Sequence, residues 1–130
     1  MAEMTVAGRL LITPGARLWF SPTEWLWMLG PLPPGVVVTG EFAAATVAVV
    51  FVSNAGSVRW FLNRYRTVIT LPRALWICYP THGRSDFNRG MLQAMLAGHG
   101  LRPVSEVAID AAWTALGVRH FVAGQPPRGG

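Results

Sequence analysis

Three ionisable side chains have the types from which general acid–base chemistry is built. Histidine titrates near neutrality and a carboxylate can orient it, so His82 with Asp86 or Asp110 is the candidate catalytic set. The segment Thr81-His82-Gly83-Arg84-Ser85 also precedes an apolar run that reads as a helix. Arg84 and the free N–H groups of such a helix start could hold an anion. Asp86 argues against that use, because a capping carboxylate already takes the place an anion would want. The plainer expectation is a solvated His82 and a helix capped by Ser85 or Asp86. His99 follows the same helix pattern, where an imidazole complements the helix dipole, and His120 falls in the last strand pattern. Three histidines without clustered spacing do not read as a metal site, and none is expected.

The other residues with chemical reach are aromatic. Six tryptophans stand in 130 residues, and Trp25, Trp27 and Trp60 are hard to bury together on short helices. Exposed indoles of that kind suggest an apolar interface. Trp113, beside Asp110 in a turn, reads as a plug for a hairpin, or as a ring at a pocket mouth that can stack on a ligand. Cys78 is the only cysteine, so there is no disulfide framework, and its apolar surroundings read as a strand core.

Composition sets bounds on the rest. Apolar residues make up 52% and charged residues 13%, with a net charge of +5 carried by arginine alone. A chain this long makes one domain, burying about two thirds of its unfolded surface. The arginines are scattered from Arg9 to Arg128 and never form a run, so nucleic-acid binding is not expected. No basic leader precedes a long apolar stretch, and residues 42–52 are too few for a membrane span of about 20 residues. A cytoplasmic protein that does not enter the membrane is expected.

The elements that must position these residues follow from local signals. Residues 16–20 read as a first strand. Ser21-Pro22-Thr23-Glu24 then opens a helix through a capping-box spacing and a proline at its first position. Residues 36–39 and 46–52 read as two further strands, the latter apolar on both faces like a covered parallel strand. A helix follows the Ser53-Asn54-Ala55-Gly56 loop, with Val58, Phe61, Leu62, Tyr65, Val68 and Ile69 at its period. Residues 74–79 form a strand, 87–97 a helix, and 104–109 and 114–122 a hairpin. Only about six residues join the second and third strands, fewer than the dozen or so of an ordinary parallel crossover. Either those strands pair antiparallel, or a short extended crossover skips over the first; the crossover is preferred. The expected fold is α/β: a single three-layer Rossmann-like domain over residues 9–122. Its mostly parallel sheet has about six short strands and a C-terminal antiparallel hairpin. Residues 1–8 are an extension and 123–130 a disordered tail.

Three stretches resemble the domain-of-unknown-function 3052 family, a degenerate methyltransferase-like fold. They are Leu75-Trp76-Ile77-Cys78-Tyr79-Pro80, Ser85-Asp86-Phe87-Asn88-Arg89, and His99-Gly100-Leu101-Arg102-Pro103-Val104 with Ile109-Asp110 and Trp113-Thr114-Ala115-Leu116. The chain departs from the pattern at Thr81, where a lysine is usual, and at Gly117-Val118. The resemblance implies a fold and no activity. A nucleotide or adenosylmethionine site needs glycines after the first strand, and Leu18-Trp19-Phe20-Ser21-Pro22-Thr23-Glu24-Trp25 has none. No cofactor is therefore expected, and an ordinary methyltransferase is disfavoured.

In open parallel sheets ligands bind outside the carboxyl ends of the strands. That edge should gather Ser21, Ser53, Asn54, Tyr79, Arg84, Ser85 and Trp113 as ligand-binding residues. Two functions are consistent with these readings. The first is a non-catalytic binding or assembly module acting through Trp25, Trp27 and Trp60 as a homodimer or with a protein partner. The second is a cofactor-free enzyme or small-molecule binder, with a small apolar ligand in a pocket at that edge. A structure with the edge filled by Trp113 and Tyr79 would exclude the second.

Overall fold

The apolar run at residues 47–51 is buried at every position, which requires a covered strand with neighbours on both sides. The computed structural model, which describes residues 5–83 and 87–120, supplies them. Strands β1 (Arg17–Ser21), β2 (Val37–Val38), β3 (Val47–Phe51), β4 (Ala74–Pro80), β5 (Leu101–Ala108) and β6 (Trp113–His120) form one sheet in the order β2-β1-β3-β4-β6-β5. β1 runs parallel to both β2 and β3, and β3 runs parallel to β4. The hairpin β5–β6 closes the far side, with β6 antiparallel to β4. The fold is α/β with a Rossmann-like sheet.

The early crossover takes the extended route. β2 and β3 lie on opposite sides of β1, and the link between them contains one short 3-10 helix, Phe42–Ala44. Phe42 holds that link down by packing edge-on against Trp19, with ring centroids 5.1 Å apart. A single buried ring replaces the missing crossover helix, since burying one Phe contributes about 1.5–3 kcal/mol.

Two layers of helix cover the sheet unequally. On one face α2 (Ala55–Arg64) and α3 (Arg89–Ala97) set Phe61, Leu62, Leu92 and Leu96 against Val50, Ile77 and Leu116. On the other, the short α1 (Val6–Arg9) and a 3-10 helix, Thr23–Leu29, cover Leu18, Phe20 and Trp76. Trp76 Nε1 donates to the Leu10 carbonyl at 2.8 Å, tying the N-terminal segment to the middle of the sheet. Ala7 and Leu10 are fully buried there, so the core takes in part of the expected extension. Cys78 is buried in β4, and burial pushes its thiol well above the ordinary range. Among the described residues no helix is long and apolar enough to cross a membrane.

Three local expectations are corrected. Ser21 does not cap a helix: it is the last residue of β1, paired with Val50, so its backbone is committed to the sheet. The segment after Pro22 is accordingly a 3-10 helix with no side-chain cap. α2 stops at Arg64 rather than near Ile69. Val68 and Ile69 still pack on the core through a turn, because periodicity reports which side chains face inward and not how far the hydrogen-bond ladder runs. α3 is capped by Asn88, whose side chain accepts from the Met91 N–H at 3.0 Å, and not by Ser85 or Asp86. Arg84, Ser85 and Asp86 lie outside the described residues, as do residues 121–130.

Candidate functional site

β1 and β3 are neighbours, yet the chain leaves them in opposite directions, towards β2 from one and towards β4 from the other. Such a reversal leaves a crevice above the carboxyl ends of the two strands. A cleft of ≈ 310 Å³ opens at that point. Its floor is the end of β3 with Val52 and Ser53, and its sides are Ser21 and Pro22 after β1, Ser57 and Trp60 of α2, and the indoles of Trp25 and Trp113.

Each wall is fixed by identifiable local chemistry. At the start of α2 the Asn54 side chain accepts from the Ser57 N–H at 2.7 Å, while Ser57 Oγ accepts the Ser53 and Asn54 N–H groups, each at 3.2 Å. That reciprocal cap makes a stiff turn, and it occupies both side chains. Asn54 therefore positions the cleft without lining it. Trp113 is placed by the hairpin turn, where Asp110 Oδ1 accepts the N–H groups of Ala112 and Trp113, both at 2.8 Å. The turn is pinned in its turn to the end of β4, by a Thr81 N–H to Ala112 carbonyl bond of 2.8 Å and a Thr81–Thr114 hydroxyl contact of 2.7 Å. Trp25 meets Phe51 and Trp113 edge-on at 5.4 and 5.5 Å, and Phe51 meets Trp113 at 5.0 Å. Each such pair adds about 0.5–1.5 kcal/mol beyond the area it buries.

The expected residues divide accordingly. Ser21, Ser53, Trp25, Trp60 and Trp113 come together around the cleft. Trp25 is half-buried in the aromatic cluster rather than displayed on a surface, whereas Trp27 is 74% exposed and Trp60 58%. Tyr79 is 4% exposed, packs on the face of α2 and α3, and does not line the cleft. Its hydroxyl is hydrogen-bonded by Arg89, which pairs with Glu106 at 3.0 Å. Burial raises the Tyr79 phenol first, the Glu106 charge raises it further, and Arg89 opposes both. His82 is exposed, and no hydrogen bond joins it to Asp110, whose carboxylate serves the hairpin turn. The described residues thus contain no His82–Asp110 pair; Asp86 lies outside them. Nor do they contain a group of His, Cys, Asp or Glu able to hold a metal ion.

Sequence reasoning missed Phe51, Ser57 and Phe61 as lining residues. Phe51 was legible as a strand-end position, and Ser57 by its three-residue spacing from Asn54, the signature of a reciprocal cap. Phe61 gave only a core signal.

No family model and no curated protein matches the chain. Solved structures do. Streptococcus pneumoniae Sp1610, a candidate tRNA (m1A22) methyltransferase, matches with a TM-score of 0.53 and 13% identity, over 93% of this chain and 70% of that one. The same protein in complex with S-adenosyl-L-methionine matches with a TM-score of 0.51 and 14% identity, over 93% of this chain and 76% of that one. A Streptococcus agalactiae protein of the NADB-Rossmann superfamily matches with a TM-score of 0.55 and 13% identity, over 97% of this chain and 72% of that one. The fold is Rossmann-like, of the methyltransferase kind. At these identities the likeness concerns the fold alone.

The lining residues do not fit the adenosyl cofactor that such folds can hold. Close approach of a ligand needs small residues and free N–H groups after the first strand. Here Pro22 has no N–H, the bulky Trp25 lines the approach, and among the described residues no carboxylate lines the cleft to meet a ribose. Glu41 is exposed after β2, outside the cleft.

Proposed function

We propose that this chain is a non-catalytic, cytoplasmic binding module that takes a small, uncharged, mainly apolar molecule in the cleft between β1 and β3. One observation carries the reading: the cleft lies at the reversal of strand order and, among the described residues, is lined by three indoles, two phenyl rings and three serines, with no ionisable side chain. Ligand sites are apolar hollows with a few converging polar groups, from about 300 Å³ upward, and this cleft stands at the small end of that range. Without a general acid, a base or a metal-binding group among its described lining residues, it offers binding and little chemistry. Ser57 Oγ is spent on the α2 cap, which leaves Ser21 and Ser53 as the hydroxyls able to orient a guest.

Ligand-observed NMR with indole and benzamide tests this. Both should bind, and Trp25→Ala and Trp60→Ala should each weaken them several-fold. Trp60→Ala should move stability by less than about 0.5 kcal/mol, since its ring is largely exposed. Calorimetric binding of S-adenosylmethionine at micromolar concentration would overturn the reading. Membership of the domain-of-unknown-function 3052 family goes with it, through β4 and the hairpin that carries Asp110 and Trp113.

A second reading is favoured by Trp27, whose ring stands in solvent near the cleft's Trp25 wall. Trp27 and the outer edge of Trp60 would form the contact of a homodimer. Sedimentation should then show a dimer at micromolar concentration that Trp27→Asp dissociates; a monomer counts against this second reading and leaves the first standing.

A further inference from the structure

The opposite edge of the sheet carries a different chemistry. Where β4 begins and β6 ends, a second cleft of ≈ 250 Å³ is bordered by Arg73, Arg119, His120 and Thr70 over a floor that includes Leu75 and Val118. Chain order separates Arg73 from Arg119, but the ladder joins them. Leu75 pairs with Val118, so the antiparallel register, continued to the strand ends, sets Arg73 opposite His120 and Ala74 opposite Arg119, and both arginines border the cleft. The row extends sideways. Thr46 accepts the Arg17 N–H through its hydroxyl at 3.0 Å and the Arg73 N–H through its carbonyl at 2.9 Å, which sets those arginines on either side of it. On the other flank Arg102 stands directly opposite Arg119 in the hairpin, a like-charge pairing that costs stability in a sheet.

Among the described residues no acid borders the cleft itself. The described acidic side chains are Glu24, Glu41, Glu106 and Asp110. Glu24 and Asp110 belong to the carboxyl edge, Glu41 follows the flanking strand β2, and Glu106 is paired with Arg89. None of them borders the cleft. Among the described residues neither Arg73 nor Arg119 takes part in an ion pair. Both hang from strand ends that the ladder holds in place, which limits the ordering cost of closing on a ligand.

We infer that this amino-edge cleft binds a phosphoryl group, with the Arg73 and Arg119 guanidiniums as its principal donors and His120 and Thr70 beside them. Guanidinium forks match phosphate oxygens bidentately, and a hollow with no carboxylate among its described lining leaves the anion unopposed. The site is independent of the apolar cleft at the other edge. The group is taken as that of a small phosphate compound rather than a nucleic-acid backbone, because among the described residues no tryptophan, tyrosine or phenylalanine borders the cleft to stack a base.

Isothermal calorimetry of the full chain with inorganic pyrophosphate tests the assignment. Wild type should bind, Arg73→Gln and Arg119→Gln should each weaken binding by about tenfold, and neither variant should lower the thermal midpoint. Trp60→Ala, at the far edge, should bind pyrophosphate normally. Anisotropy with a labelled oligothymidylate is the second arm. Weak, steeply salt-dependent binding that pyrophosphate displaces supports the small-ligand source, whereas an oligonucleotide held more tightly than pyrophosphate would make the source a nucleic acid and overturn that half of the inference. No pyrophosphate binding at millimolar concentration, or binding indifferent to both arginine substitutions, would overturn the site itself.

Discussion

Gly117 shows how much one side chain can depend on the absence of another. It faces the Trp76 ring across the β4–β6 ladder, and a Cβ there would collide with Ser105 Oγ and lie 3.0 Å from the indole. The serine can rotate away. The indole cannot, because it is buried and held by its bond to the Leu10 carbonyl. Gly117→Ala should therefore destabilise the protein by about 1–3 kcal/mol, the ordinary cost of overpacking a core, measurable as a lower denaturant midpoint with an unchanged slope. Gly117 was visible in the sequence only as a departure from a family pattern. The ring that requires it is forty-one positions away in the chain, and no spacing rule connects the two. Asp110 was read as a candidate acid–base group, and in the fold it is a turn residue that aims Trp113 by accepting two backbone N–H groups.

At the scale of elements, the start of α2 is where fold and cleft meet. Asn54 and Ser57 satisfy one another's turn, and the same turn sets Ser53 and Ser57 along the cleft. Asn54→Ala removes the cap bond to the Ser57 N–H and should cost about 1 kcal/mol of stability. It should also weaken indole binding, although Asn54 itself does not line the cleft. Unfolding curves combined with ligand titration separate the two effects, and Asn54→Asp, which can still cap, should restore both. The cap was legible in principle, since Asn54 and Ser57 have cap spacing ahead of an apolar period. The capping box written as Ser21 to Glu24 was equally legible and did not form, because Ser21 is claimed by the β1–β3 ladder. Local signals lose where a residue can serve the sheet instead, as tertiary pairing buries more apolar surface than one cap bond is worth.

Across the whole molecule, Tyr79, Arg89 and Glu106 join β4, α3 and β5. The Tyr79 phenol is held above its ordinary value of 10.0, chiefly by burial. The unfolded chain therefore ionises this group first as pH rises. Its contribution to stability is fully present below that ordinary value and is lost as pH climbs towards the raised value of the folded state. Denaturation midpoints should fall above pH 10.0, and Tyr79→Phe should flatten that fall, as urea unfolding between neutral and alkaline pH would show. The charge distribution is also a property of the whole. The arginines show no run along the chain, yet Arg17, Arg73, Arg102 and Arg119 share one edge, while the cleft at the other edge has no ionisable lining among the described residues.

The sequence by itself determined the class of fold: apolar strands alternating with helix periods, a C-terminal hairpin, and a glycine-free segment behind the first strand that carries Pro22 and Trp25. These features depend on residues close together in the chain, where periodicity and turn chemistry act directly. Only the tertiary structure decided which tryptophans wall the cleft, that Tyr79 is buried in the core instead of lining it, that Asp110 serves a turn, and that distant arginines reach one edge. The physical reason is common to all four. Which face a strand-end side chain meets, and which neighbour it finds there, is fixed by strand order and register, and those are set by the packing of the whole sheet rather than by any local pattern.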